Sequence, residues 1–270
     1  MYPGLAMPET DFLILLKNST KFMFKFETIN NKKILKSDFI NSCQCFFTTR
    51  QSVVTPKEIN ELTALCSKNL EDIAHHIGVE KTDIIVPEQT HSANIAIAQK
   101  GKTYPNTDAL VVEDPNLAIL LNFADCTPVI LYDESKNTGA IAHAGWRGTA
   151  QSIAAKTAQF MIDKYSSKPE NITAIIGPAI SMKNYQVDKD VFDKVSATLK
   201  NTYNDYYIYD SARGKYNIDL KTVNYHQLKE LGLLRIDKCN YCTYDSVDVF
   251  FSYRKEHGKT ARHSAVLKLK

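Results

Sequence analysis

Short apolar runs separated by turn residues dominate the middle of the chain. Asn94–Ala98, Ala109–Val112, Leu117–Leu121, Val129–Tyr132 and Ala140–His143 are four or five residues long, which predicts strands rather than helices. No helix-length connection separates them, so the pattern points to a mostly antiparallel or mixed sheet. Before this region, Ile59, Leu62, Cys66, Leu70, Ile73 and Ile77 recur at helical spacing, and Gly78 is a natural stop, predicting a helix from Pro56 to Ile77. Beyond it, helices are expected from Gly148 to Lys164, Asp188 to Asn201 and Thr222 to Leu231. Strands are expected at Ala174–Ile176, Tyr216–Leu220, Val247–Tyr253 and Ser264–Lys268, and Cys45–Thr49 is β-rich up to Arg50. The result is an α+β chain with a sheet-rich centre and peripheral helices. Residues 1–37, with the strand-like piece Phe22–Phe26, read as an N-terminal extension packed on a single domain spanning 38–270.

Composition narrows the class without naming a function. Of 270 residues, 44% are apolar and 23% charged, which excludes wholesale disorder and a coiled-coil rod. Thirty-three basic against 30 acidic residues leave +3, too little to call for nucleic acid or an anionic membrane surface. The most apolar stretch, Leu117–Tyr132, is interrupted by Asn122 and Asp125 and falls short of a membrane span. Phe12–Leu16 is too short for a signal-peptide core and follows Glu9 and Asp11. The expected location is the cytoplasm, with the six cysteines reduced.

Three reactive side chains sit at the edges of these runs: His91, Cys126 and His143. Two imidazoles and a thiolate suit zinc and leave a fourth position open. Their separations match no compact zinc finger, so any convergence must come from the fold. A lone strand-end histidine or buried cysteine is more often structural. What weighs against that is the polar company, Asp125 beside Cys126 and Arg147 after His143, in otherwise apolar sequence. Gly145-Trp146-Arg147-Gly148 joins a strand to an expected helix start, where free N–H groups beside a guanidinium suit phosphate, although the glycines also fit a plain tight turn. Cys239-Asn240-Tyr241-Cys242 is a single CxxC with no second pair, His75-His76 falls late in an amphipathic helix where it reads as solvated or helix-capping, and His257 and His263 lack ligand company. Neither a Walker lysine after Ile176-Gly177-Pro178 nor a GxGxxG fingerprint is present, which disfavours a nucleotide cofactor held by either.

Several segments occur together in a familiar order: Gln89-Thr90-His91-Ser92, Thr107-Asp108-Ala109-Leu110, Ala124-Asp125-Cys126-Thr127-Pro128 and His143-Ala144-Gly145-Trp146-Arg147-Gly148. Ile176-Gly177-Pro178, Tyr185, Val187, Asp219-Leu220, Asn224, Gln227-Leu228, Gly232, Cys242-Thr243-Tyr244 and Phe250-Phe251-Ser252-Tyr253-Arg254 follow. From about Phe46 to the C-terminus the chain resembles the YfiH-like, laccase-domain family of purine nucleoside phosphorylases, formerly called multicopper polyphenol oxidases. The resemblance implies a mixed β-sandwich surrounded by helices, a YfiH-like or cytotoxic necrotizing factor-like fold. It implies that His91, Cys126 and His143 bind a metal, zinc rather than copper, since seven histidines are few for a multicopper oxidase. It further implies phosphorolysis of adenosine, inosine, guanosine or methylthioadenosine with inorganic phosphate, accompanied by adenosine deaminase activity. Arg147, Arg254, Arg50 and Gln89 are the expected phosphate and substrate contacts, and Asp125 or Glu88 the expected proton carrier. One departure bears on substrate preference: Phe47-Thr48-Thr49-Arg50 continues as Gln51-Ser52-Val53-Val54, where the family usually has a Gly-Gly loop. The competing readings are a metal-free hydrolase or deamidase using Cys126 with a histidine base, a redox or partner-binding protein that merely carries a vestigial pocket, and a copper phenol oxidase.

Overall fold

Two six-stranded sheets face each other across a shared apolar layer in the computed structural model, which describes residues 24–54 and 63–270. The first runs β1 (Phe24–Ile29), β2 (Lys32–Ser37), β3 (Gln44–Thr48), β15 (His263–Lys268), β7 (Ala118–Phe123), β4 (Ile84–Ile85). The second runs β14 (Arg235–Lys238), β10 (Ile172–Ile176), β8 (Thr127–Asp133), β9 (Thr138–Ala144), β6 (Ala109–Val112), β5 (Ile95–Ile97). Both sheets mix parallel and antiparallel pairs.

Side-chain alternation explains why the central strands are apolar throughout. Leu110 and Val112 point into the layer between the sheets with Ile119, Leu121, Phe47 and Leu267. Ala109 and Val111 point the other way, onto helices α3 (Ile153–Tyr165) and α5 (Leu220–Glu230). Helix α1 (Thr63–Ile77) covers the outer face of the first sheet through Ile73, Ala74 and Ile77. A three-stranded sheet, β11 (Gln186–Val187), β13 (Lys215–Ile218) and β12 (Tyr207–Asp210), packs with α4 (Lys189–Ser196) and Trp146 on one flank. The chain is therefore an α+β protein with a mixed β-sandwich core and helices outside.

Several sequence expectations shift at their edges. Pro56–Leu62 and Phe22–Met23 lie outside the described residues. The described part of the N-terminal extension, residues 24–37, forms a hairpin hydrogen-bonded through β2 to β3, an edge of the first sheet. The helix expected from Gly148 is two pieces, a single turn α2 (Trp146–Thr149) and α3, with Ser152 between them in left-handed conformation (φ 57°). Helix α4 stops at Ser196, short of Asn201. Leu220 belongs to α5 rather than β13, because the Asp219 carboxylate accepts the Lys221 N–H and starts the helix. Val247–Tyr253 is not a strand: the Val249 and Phe250 N–H groups turn back onto the Ser246 carbonyl, and the Arg50 guanidinium takes the Val247 and Phe250 carbonyls. Among the described residues, no helix is long and apolar enough to cross a membrane.

Candidate functional site

Strand register brings the site together. In the β8–β9 hairpin Thr127 pairs with Ala144, so the residues just beyond, Cys126 and Gly145, abut. The β6–β9 pairing sets Ala109 opposite Ala142, which places Asp108 beside His143, whose N–H donates to the Asp108 carbonyl at 2.8 Å. His91 lies just before β5, which runs parallel to β6. One ligand atom from each of His91, Cys126 and His143 lies within 4.8 Å of the others. His91 Nε2 is 3.8 Å from Cys126 Sγ, and the two imidazole rings are 4.9 Å apart. Burial is graded from His143, which is buried, through Cys126 to His91, which is exposed, so the cluster opens on one side.

Asp108 holds this arrangement, and sequence reasoning gave it no role. It is wholly buried and accepts from the backbone N–H groups of Thr90 (3.1 Å), His91 (3.0 Å) and Ser92 (2.7 Å), the Ser92 hydroxyl (2.7 Å) and His143 Nδ1 (2.8 Å). The backbone bonds keep His91 in left-handed conformation (φ 63°), which aims its side chain at Cys126. The Nδ1 bond fixes the His143 tautomer with Nε2 free for a ligand. Its legible signal was a carboxylate opening the apolar strand Ala109–Val112, a position that demands partners.

The electrostatics follow from this packing. Burial by itself would raise the Asp108 carboxyl, but hydrogen bonds from His143 and Ser92 hold it well below the usual carboxylate range. Burial likewise opposes ionisation of Cys126, yet the His143 charge and contacts with both imidazoles bring its thiol down to about 6. His143 is disfavoured as a cation by burial and is pushed up to about 9 by Cys126 and Asp108. The donor set fits a metal: two imidazoles and a thiol poised to ionise, braced from behind by a carboxylate. Gly145 completes the cradle, because a Cβ there would lie 2.8 Å from Cys126 Sγ and 3.1 Å from the His91 ring.

The other expected site residues divide into two groups. Arg147 and Arg254 are exposed, over Trp146 at 4.4 Å and Tyr185 at 5.1 Å respectively, and neither pairs with a carboxylate among the described residues. Burial raises the Tyr185 hydroxyl, Cys126 raises it further, and Arg254 and Arg147 pull it back, so the arginines and the thiol share its surroundings. Arg50, Gln89 and Asp125 have protein partners instead. The Arg50 guanidinium binds Glu256 at 2.6 Å and stacks on Phe251. Gln89 exchanges two hydrogen bonds with the Asn122 backbone (2.9 and 2.7 Å). Asp125 accepts from Thr243 Oγ1 (2.6 Å) and the Arg254 N–H (2.7 Å). Glu88 is exposed. Cys239 and Cys242 are buried apart from the cluster, with Cys242 Sγ accepting from Ser181 and Asn184.

Comparison with known proteins gives this geometry a family. The chain is 30% identical over 262 residues to purine nucleoside phosphorylase YlmD of Bacillus subtilis, covering 89% of this chain and 90% of that protein. It is 31% identical over 245 residues to purine nucleoside phosphorylase SERP0752 of Staphylococcus epidermidis, covering 82% and 89%. The crystal structure of the Bacillus licheniformis hypothetical protein YfiH superposes with a TM-score of 0.83 at 29% identity, over 91% of this chain and 99% of that one. YlmD from Geobacillus stearothermophilus gives a TM-score of 0.82 at 25% identity, over 91% and 98%. The family profile described as multi-copper polyphenol oxidoreductase laccase matches residues 44–270, and the chain belongs to that family.

Proposed function

We propose that this chain is a purine nucleoside phosphorylase that cleaves adenosine, inosine, guanosine or methylthioadenosine with inorganic phosphate and also deaminates adenosine. The observation that carries the reading is the His91–Cys126–His143 cluster, braced by Asp108, with two exposed arginines sharing the surroundings of Tyr185 beside it. The names of the relatives supply the substrate class.

His91, Cys126 and His143 would hold zinc, which when bound supplies a polarising positive charge and lowers the pKa of a coordinated water to about 7. The chain's own residues do the rest. Arg147 and Arg254 bind phosphate and offset its charge while one oxygen attacks the anomeric carbon. The carbon–nitrogen bond breaks as the carbon–oxygen bond forms, its electron pair leaves with the purine, which takes up the proton the hydrogen phosphate gives up, and ribose 1-phosphate or its methylthio counterpart results. The buried wall of His143 and Phe123, with rings 5.3 Å apart, keeps solvent from one side of the centre. Deamination consumes water and releases ammonia, giving inosine. Asp108 keeps the His143 Nδ1 proton throughout, so Nε2 stays available.

The family description points to copper, and His₂Cys is also the donor set of a single blue-copper centre. Multicopper chemistry needs several centres, and among the described residues His91, Cys126 and His143 are the one such group. A metal-free cysteine hydrolase is favoured by one observation, the thiol brought down to about 6 against an imidazole. The deciding experiment incubates zinc-loaded protein with adenosine, with and without phosphate, and identifies products by mass spectrometry. Adenine and ribose 1-phosphate appearing only with phosphate support the proposal, and inosine in either tube adds the deaminase. An activity indifferent to phosphate and chelators but abolished by alkylation of Cys126 would replace it with the hydrolase.

A further inference from the structure

Three chain segments close on Asp125. Its carboxylate takes the Thr243 hydroxyl and the Arg254 N–H, and its carbonyl takes the Ile180 N–H at 3.1 Å. Its φ of 81° lies in the left-handed region, which aspartate tolerates better than most residues. Cys126 is the next residue. Thr243 is itself tied down, its N–H donating to the Ala179 carbonyl at 3.2 Å. Buried Lys221 secures the preceding loop by donating to the carbonyls of Cys239 (2.9 Å) and Tyr241 (3.1 Å). The third segment carries Arg254, whose guanidinium lies over Tyr185 and donates to the Gln186 carbonyl at 3.3 Å.

We infer that Asp125 is a positioning residue rather than a proton carrier: with Thr243 it clips the Arg254 segment to Cys126 and so sets where an anion is held relative to the Cys126 sulfur. Both carboxylate oxygens face protein donors inside the fold, which suits a clasp and not exchange with substrate. The functional part of this inference rests on the phosphorylase reading; the placement of Arg254 relative to Cys126 does not.

The test uses the full-length chain with Thr243→Val, Thr243→Ser and Arg254→Ala. Cys126 is the one cysteine that is not buried. After chelation, its alkylation by anionic iodoacetate and by neutral iodoacetamide is followed by peptide mass spectrometry, with circular dichroism confirming the fold. The ratio of the two rates gauges the positive potential over the sulfur and cancels its degree of ionisation. Thr243→Val should lower the ratio about threefold, towards the Arg254→Ala value, and Thr243→Ser should restore it. In turnover, Thr243→Val should raise the phosphate KM about tenfold while kcat changes less than about twofold. An unchanged ratio in Thr243→Val, or a loss that Thr243→Ser fails to repair, overturns the inference. A wild-type protein without phosphorolysis removes the functional reading, while the alkylation ratio still decides whether the clasp holds Arg254 near the thiolate.

Discussion

Replacing Asp108 with asparagine puts an amide where the structure uses both oxygens as acceptors. If the new NH₂ takes the place of Oδ2, it confronts the N–H groups of Thr90 and Ser92, leaving two backbone donors unpaired. If it replaces Oδ1, it strands the His91 N–H and turns a donor towards His143 Nδ1. The second arrangement is less costly. It leaves one buried donor unsatisfied and removes one charge-assisted bond, together about 3–5 kcal/mol. That corresponds to a melting temperature lower by about 10 °C for a chain of this size. It also moves the His143 proton to Nε2, removing the lone pair directed at the cluster, for which a 10–100-fold weaker zinc affinity is expected, roughly. Zinc affinity is read by competition with a chromophoric chelator, and stability by thermal unfolding of the metal-free protein. A variant binding zinc within about twofold of wild type, with unchanged melting temperature, would refute the role assigned to Asp108.

Four further outcomes follow from the same geometry. Gly145→Ala, at an ordinary φ of −66°, should leave the fold intact but drive a methyl group against Cys126 and His91, lowering zinc affinity at least about tenfold in the same competition assay. Gly177→Ala drives a Cβ into the Phe47 ring and should destabilise the sandwich by about 2 kcal/mol on denaturant titration, with no effect special to metal binding. In metal-free protein, alkylation of Cys126 by iodoacetamide should reach half its maximum near pH 6 instead of near 9. The same ionisations leave the linked stability almost flat, because the contribution the lowered thiol loses as pH falls from 9 towards 6 is offset by what the raised His143 gains over that range. Arg147→Ala should raise the phosphate KM about tenfold with a smaller effect on nucleoside KM, as read from initial rates.

What the sequence could reveal depended on burial. β6, β8 and β9 are packed on both faces, so their apolar runs are continuous and their ends visible. β14, Arg235-Ile236-Asp237-Lys238, is an edge strand that pairs with β10 alone, and its charges hide it. Val247–Tyr253 has β-forming residues but no partner strand, because Arg50 occupies two of its carbonyls. The three clustered donors were legible as residue types at strand edges. The brace behind two of them was not, since a carboxylate's role depends on donors seventeen and thirty-five residues away, His91 and His143.

The strand ends that carry Cys126 and His143 belong to a sandwich whose apolar layers close without any contribution from a metal. Structural zinc sites in small domains behave differently, for there the ion supplies the folding free energy. Here the ordering of the donors is already accomplished by the sheets, so ion capture should be a ligation event uncoupled from folding. A chelator should then yield an empty but folded protein that can be reloaded. Such a scaffold lets ions exchange without risk to the chain, and which ion resides there is decided by donor softness and supply rather than by the stability of the fold.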